Sequence, residues 1–508
     1  MAIARTFGVA LAGVSGELVE IEADLGVGLP GLSFTGLADT SVTESRDRIR
    51  AAVSNSGVEW PNRRITVALL PADVRKVGSR FDLAVAMAVL GAADTVPLEP
   101  IADVVWIAEL GLDGRLRPVR GVLPAVAAAR DAGIRRIVVS TANGREAALV
   151  SGVDVRVARD LSELLAWLRD GEPLPSASCG DDDPRPDNPP DLAEVAGQGI
   201  AKRALEIAAA GAHHLYLIGV PGAGKTMLAE RLPSLLPVLD DVAALEVTAV
   251  HSVAGRLPER ARLIRHAPLQ APHHTASVAS LVGGGAHLAR PGAISLAHRG
   301  VLFLDEAPEF SPRALDAMRQ PLESGTVVLH RGGGIVRYPA RFQLVLAANP
   351  CPCGRPGATC ECPPHSRRRY QQRLSGPLLD RVDLRVHVEA VPHAELLAGS
   401  TPEPSADIAR RVAAARTAAL DRWHGTPWST NAEVPGAALR GRRWAPPREV
   451  LRLAEEFLMR GQLSARGLDR VLRLSWTIAD LGGRPAPVAD DVAEALFFRT
   501  GEIGMWAA

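Results

Sequence analysis

The apolar run Leu215–Ile218 passes directly into Gly219-Val220-Pro221-Gly222-Ala223-Gly224-Lys225-Thr226, and a segment with helical spacing follows. Strand, glycine-rich loop and helix in that order constrain this chain more than any other feature, because the loop works only where a strand opens into a helix. Gly219, Gly222 and Gly224 let backbone N–H groups turn toward phosphate, and Pro221 and Ala223 complete the loop. The helix N-terminus adds its dipole, Lys225 reaches the β- and γ-phosphates, and the Thr226 hydroxyl can ligate Mg²⁺. The sequence therefore predicts an α/β domain that binds ATP–Mg²⁺. The bland alternative is a glycine-rich turn that matches by chance.

Further on, Val301–Leu304 reads as a buried strand ending in Asp305-Glu306. Two carboxylates at the carboxyl end of such a strand stand where α/β sheets carry their chemistry. Asp305 is expected in the Mg²⁺ shell, and Glu306 is expected to orient or deprotonate the attacking water. The next β-like run ends at Asn349, which is suited to hold that water or simply forms the turn before Pro350. Arg381, within Ser375–Asp383, lies beyond that third strand and fits an arginine supplied to a neighbouring subunit, where it offsets charge on the transferring phosphoryl group. The plainer reading is an ion pair with Asp380 or Asp383. Arg466 begins a later helix and could reach the γ-phosphate, with Arg470 as the alternative.

At 508 residues the chain exceeds a single core. Residues 1–170 alternate β-like runs, Ile65–Leu70 and Ile134–Ser140, with alanine-rich helical runs, Phe81–Ala93 and Leu123–Ala132. Residues 171–190 collect six prolines and the triplet Asp181, Asp182, Asp183, the composition of a linker. Residues 191–391 hold the motifs above. Residues 392–508 are helical, with apolar residues at helical spacing in Ala406–Trp423, Pro447–Arg460 and Asp469–Leu481, as in a small lid. No run approaches the ~20 apolar residues of a membrane span, so a cytoplasmic protein is expected.

Charge is balanced, 57 basic against 57 acidic residues, so nucleic acid would have to be bound by a local basic surface. One candidate is Val327–Tyr338, two β-like halves around Gly332, Gly333 and Gly334, made basic by His330, Arg331 and Arg337. An ordinary exposed hairpin is the alternative. Cys351, Cys353, Cys360 and Cys362 form two C-x-C pairs, which either close a structural tetrahedral Zn²⁺ site or remain reduced thiols.

Together these residues resemble the YifB/ComM family of magnesium-chelatase-like AAA+ ATPases over nearly the whole chain. The resemblance is also carried by Gly28-Leu29-Pro30-Gly31, by Glu44-Ser45-Arg46-Asp47-Arg48-Ile49-Arg50, by Leu70-Pro71-Ala72-Asp73 and by Ala271-Pro272-His273-His274-Thr275. It implies a Lon-protease-like α+β N-terminal domain, a AAA+ core of the helix-2-insert type, a helical C-terminal domain and hexameric rings. It further implies an ATP-driven motor that remodels single-stranded or branched DNA in recombination or transformation, with the Val327–Tyr338 hairpin lining the ring pore. A chelatase-type motor subunit or a protein-remodelling ATPase is the alternative, and the large N-terminal domain argues against the chelatase. Lon-like enzymes use a Ser–Lys dyad. Ser79 stands near Lys76, but no further lysine occurs before Lys202, so a non-catalytic scaffold is expected.

Overall fold

Alternation of buried and exposed residues carries Ala4–Ala12 and Ser15–Gly26 into an antiparallel pair around a turn at Gly13. The computed structural model describes all residues except 1–2, 38, 179–189, 259–260, 286–288, 332–333, 356–358, 393–401 and 502–508. Around the first pair grows a seven-stranded mixed sheet, ordered Gly31–Thr35, Arg64–Leu70, Ser15–Gly26, Ala4–Ala12, Val104–Ile107, Arg136–Ser140, Asp154–Ala158. Helix Asp82–Ala92 is buried on almost every side, which is why its sequence is apolar all round rather than striped. Its first residue, Asp82, is held by Arg48 at 2.6 Å, and burial pushes that carboxyl up to about 6 against the pull of the guanidinium. The Glu44–Arg50 run thus supplies a packing contact. Ser79 donates to Glu109 and the Lys76 ammonium donates to the Pro71 carbonyl, so each is engaged by a different partner.

The proline-rich stretch begins inside this domain. Leu174 is buried, the Val157 N–H donates to Pro175 O, and the Ala177 N–H donates to Val155 O. Proline cannot donate to a ladder but its carbonyl still accepts, so composition alone read residues 171–178 as linker where they complete a sheet edge. Residues 179–189 lie outside the described residues.

A second sheet is wholly parallel, with five strands in the order Leu269–Gln270, Val301–Leu304, Gln343–Ala348, Leu215–Gly219, Leu384–Val388. Continuous apolar runs suit a sheet covered on both faces. The loop-bearing strand is flanked on both sides, with Leu215 opposite Leu384 and Gly219 opposite Val388. Helices Ser405–Arg422, Arg448–Met459, Ala465–Leu481 and Ala489–Thr500 form the C-terminal part and share one apolar core with helix Gly199–Gly211 and this sheet. A buried polar seam crosses the same boundary: the His213 ring meets the Thr477 hydroxyl at 2.7 Å, and Asp383 accepts from the His214 N–H at 3.0 Å and from Arg470 at 2.8 Å.

The N-terminal domain rests directly on the second. Ala249, in helix Asp241–Ala254, joins the apolar cluster of helix Val122–Asp131, and the Ser252 hydroxyl donates to Glu146. The turn at Gly13 meets the hairpin Thr326–Arg331/Gly334–Pro339, where a Cβ on Gly13 would come to 2.6 Å from Arg337 O.

Candidate nucleotide site

Each glycine of the loop has its own reason. Gly219 ends a strand so close to its neighbour that a Cβ would lie 2.3 Å from Val388 O, while Gly222 and Gly224 adopt φ of 77° and 90°, which disfavour other residues. Helix Lys225–Leu235 starts immediately after. The Lys225 side chain is buried, and its ammonium donates to Gly219 O at 2.8 Å, Val220 O at 3.0 Å and Asn349 Oδ1 at 3.1 Å. Burial lowers its pKa, opposed by the nearby charges of Asp305 and Glu306.

Parallel pairing of Val301–Leu304 with Gln343–Ala348, and of that strand with Leu215–Gly219, brings three carboxyl ends together. The Thr226 hydroxyl therefore meets Asp305 Oδ2 at 2.7 Å. Two hard oxygen donors side by side at the head of the loop fit a Mg²⁺ ion. Asp305 Oδ1 also accepts the Glu306 N–H at 2.8 Å, which turns the chain and leaves Glu306 at φ 51°, a left-handed conformation uncommon for glutamate. Its half-exposed carboxylate lies 3.1 Å from His274 Nδ1. His274 is a member of the site that residue-level reasoning missed; only its place in the Ala271–Thr275 motif signalled it. Gln198 was missed too, and its amide ties Ala223 O, at 3.0 Å, to Glu389 O, at 2.6 Å.

The arginines lie elsewhere. Arg381 and Asp383 precede strand Leu384–Val388, whereas the glycine loop follows strand Leu215–Gly219. In parallel neighbours these are opposite ends, roughly 16 Å apart for five residues at ~3.3 Å each. Arg381 pairs with Glu323 and donates to Pro377 O at 2.6 Å, so the ion pair with Asp380 or Asp383 is not the one formed. Arg470 holds buried Asp383, while Arg466 is 82% exposed and 4.0 Å from Asp380. A cavity of about 1070 Å³ opens here, lined among others by Arg299, Arg381, Arg416, Arg466 and Arg470. Arg466 is thus placed with Arg381 and away from its own glycine loop.

The hairpin forms as read, with Val328 opposite Arg337 and His330 opposite Ile335. His330 and Arg337 are exposed; the Arg331 side chain and residues Gly332 and Gly333 lie outside the described residues. Cys351, Cys353, Cys360 and Cys362 place their sulfurs all within 4.8 Å of one another. A tetrahedron with Zn–S of about 2.3 Å has edges of roughly 3.8 Å. The Cys353–Cys360 separation of 3.7 Å and the Cys351–Cys360 separation of 3.4 Å are compatible with that figure. The Arg355 N–H and neighbouring thiols pull the Cys353 thiol down to about 6, whereas burial pushes Cys351 up to about 12.

Comparison with known proteins covers almost the whole chain. The family "Magnesium chelatase, subunit ChlI" matches residues 191–396, "Subunit ChlI of Mg-chelatase" matches residues 21–143, and "Magnesium chelatase, subunit ChlI C-terminal" matches residues 402–499. Since the match over residues 21–143 carries the chelatase subunit's name, an N-terminal domain does not by itself set a chelatase apart. The protein Rv2897c of Mycobacterium tuberculosis is 52% identical over 500 residues, 98% of this chain and 99% of that one. Competence protein ComM of Haemophilus influenzae is 40% identical over 505 residues, 98% of each chain. The protein YifB of Escherichia coli is 40% identical over 489 residues, 96% of this chain and 95% of that one.

Proposed function

The chain belongs to the ChlI-like magnesium-chelatase family of AAA+ ATPases, in its YifB/ComM branch, and from that membership we propose that it is an ATP-hydrolysing motor that remodels DNA. The observation that carries the ATPase reading is the meeting of Thr226 and Asp305 at 2.7 Å at the head of the glycine loop. These two side chains would hold Mg²⁺, which when bound neutralises phosphate charge. Lys225 takes the β/γ-phosphate oxygens, exchanging its carbonyl and Asn349 partners for them. Glu306 orients and deprotonates the attacking water, His274 fixes that carboxylate, and Asn349 holds the water's other side.

Arg381 and Arg466 stabilise the transferring phosphoryl group of a neighbouring subunit, because their own glycine loop lies at the far end of the sheet. Hydrolysis then requires a ring, for which we propose six subunits. His330, Arg331 and Arg337 on the hairpin grip DNA phosphates in its pore, braced by a Lon-protease-like N-terminal domain. The four cysteines hold a structural Zn²⁺, since four sulfurs already gathered at this spacing suit that ion. No described helix is long and apolar enough to cross a membrane, and we propose a cytoplasmic site of action, where DNA is available.

The test is ATP turnover with single-stranded DNA, with forked DNA and without DNA, alongside strand exchange on a branched substrate. Stimulation with ATP-dependent movement of the branch is expected. Turnover indifferent to DNA, but raised by a protein or tetrapyrrole substrate, would assign the motor another cargo. Metal analysis of protein purified without chelator tests the cysteine site, for which about one zinc per chain is expected.

A further inference from the structure

The segment after Asn349 carries charge that the nucleotide site does not use. Helix Pro364–Gln371 begins two residues beyond the last cysteine, buries Tyr370, and leaves Arg367, Arg368 and Arg369 exposed. Successive helix positions are turned about 100°, so the three arginines fan over more than half of the helix circumference. Among the described residues no carboxylate pairs with any of them, whereas Arg355 is held by Glu361 at 2.7 Å and Arg373 by Glu309 at 2.6 Å. From Pro363 to Arg373 the sequence has no acidic residue at all. A solvated helix face ordinarily mixes signs, since opposite charges one turn apart stabilise it and like charges do not.

The helix, the residue just after it and the cysteine loop before it approach the ATP site at three places. Arg373 donates to Pro308 O and to Glu309, in the turn directly after Glu306. The Tyr370 hydroxyl, whose pKa burial raises, lies beside the Asn349 backbone, whose N–H pulls that pKa down. Gly354, between the cysteine pairs and at φ 68°, lies so near the glycine loop that a Cβ would approach Pro221 Cγ to 2.7 Å. A load on the helix thus bears on the glycine loop, on the residue that holds the water, and on the turn beside the catalytic glutamate.

We propose that Arg367, Arg368 and Arg369, set in place by the four-cysteine loop, contact the phosphate backbone of DNA and report its presence to the ATP site. This rests on the DNA-motor reading above and adds a contact separate from the hairpin. Guanidinium groups suit phosphate oxygens through paired N–H donors, and contacts to the backbone carry no sequence preference of their own.

The experiment uses the full chain with Arg367→Gln, Arg368→Gln and Arg369→Gln combined, and a matching triple-lysine variant. Binding of a labelled single-stranded oligonucleotide is measured at several salt concentrations, together with the ratio of ATP turnover with DNA to turnover without it. That ratio divides out any change in the nucleotide site itself. For the glutamine variant the slope of log affinity against log salt should become shallower by about 0.7 per phosphate contact removed, and the ratio should fall toward one. The lysine variant should keep most of both. An unchanged slope and ratio in the glutamine variant would overturn the proposal while leaving the motor reading intact. A lower ratio with an unchanged slope would also overturn it, making the arginines mere supports of the loop. If the glutamine variant does not fold, a lysine variant whose salt slope is shallower than the parental one by about 0.7 per contact and whose ratio falls toward one would count against phosphate recognition by charge. A parental protein that neither binds nor responds to DNA brings down both readings together.

Discussion

The two ends of the five-stranded parallel sheet differ in kind. At the carboxyl end, Lys225, Thr226, Asp305, Glu306 and Asn349 converge from three adjacent strands, Lys225 bonded to Asn349 and Asp305 to both Thr226 and Glu306. At the amino end, Arg381 and Arg466 line a wide cavity and their carboxylate partners are Glu323 and Asp380. One end gathers the glycine loop, its lysine and the carboxylates; the other gathers arginines. On the proposed reading each chain holds two complementary half-sites, and the strand length that separates them would bring a second subunit into the chemistry.

The largest expected effect tests whether the halves belong to one site. Lys225→Ala should abolish ATP binding, and Arg381→Ala should retain binding but lose turnover by about a thousandfold, the scale of an arginine finger. Mixed in one ring, the two variants should recover part of the activity, because some interfaces pair an intact loop with an intact arginine. Absence of recovery in rings shown to be mixed by mass would refute the assignment in trans. Next in size, Glu306→Gln should bind ATP with near-parental affinity and turn over about 10²- to 10⁴-fold more slowly in single-turnover assays. Turnover at the parental rate would remove Glu306 from the role given to it.

Smaller effects sharpen the contrast within the arginine end. Arg470→Ala strips buried Asp383 of its ion pair and should cost roughly 3 kcal/mol in denaturant unfolding, whereas Arg466→Ala should barely shift the midpoint. Equal shifts would mean that both arginines are structural. The smallest effect is a pH dependence. Burial lowers the pKa of the His213 ring, so the folded state keeps it neutral while the unfolded chain protonates it near 6.5. The unfolded state then binds more protons, and stability is lost as pH falls below about 6.5. A His213→Phe variant, titrated by thermal unfolding, should show a shallower loss across that range.

Much of this arrangement was legible in the residues. Strand Val301–Leu304 begins and ends where its apolar run does, and helices Ser405–Arg422 and Arg448–Met459 lie within one or two residues of their amphipathic patterns. Local patterns report local structure, so these elements were readable. The partners were not. Nothing in the run Ser375–Asp383 says that Arg381 takes Glu323, or that Asp383 accepts from Arg470, 87 positions further along the chain. The prolines after residue 171 also misled, because a carbonyl that accepts a ladder bond leaves no mark in composition.

The sequence by itself determined the ATP chemistry and the presence of the hairpin, since the glycine loop, the strand ending in Asp305-Glu306 and the hairpin each rest on residue types at short spacing. Tertiary structure decided which arginines are spare and which are spent: Arg470 is locked by Asp383, Arg466 stays exposed, and both stand a strand's length from the loop. It also brought His274 to Glu306 and set the cysteine loop against Pro221. The physical reason is that hydrogen bonding and rotamer preference act over a few residues, whereas strand order in a parallel sheet is chosen by burial of the whole core. Only that order says which ends of which strands meet.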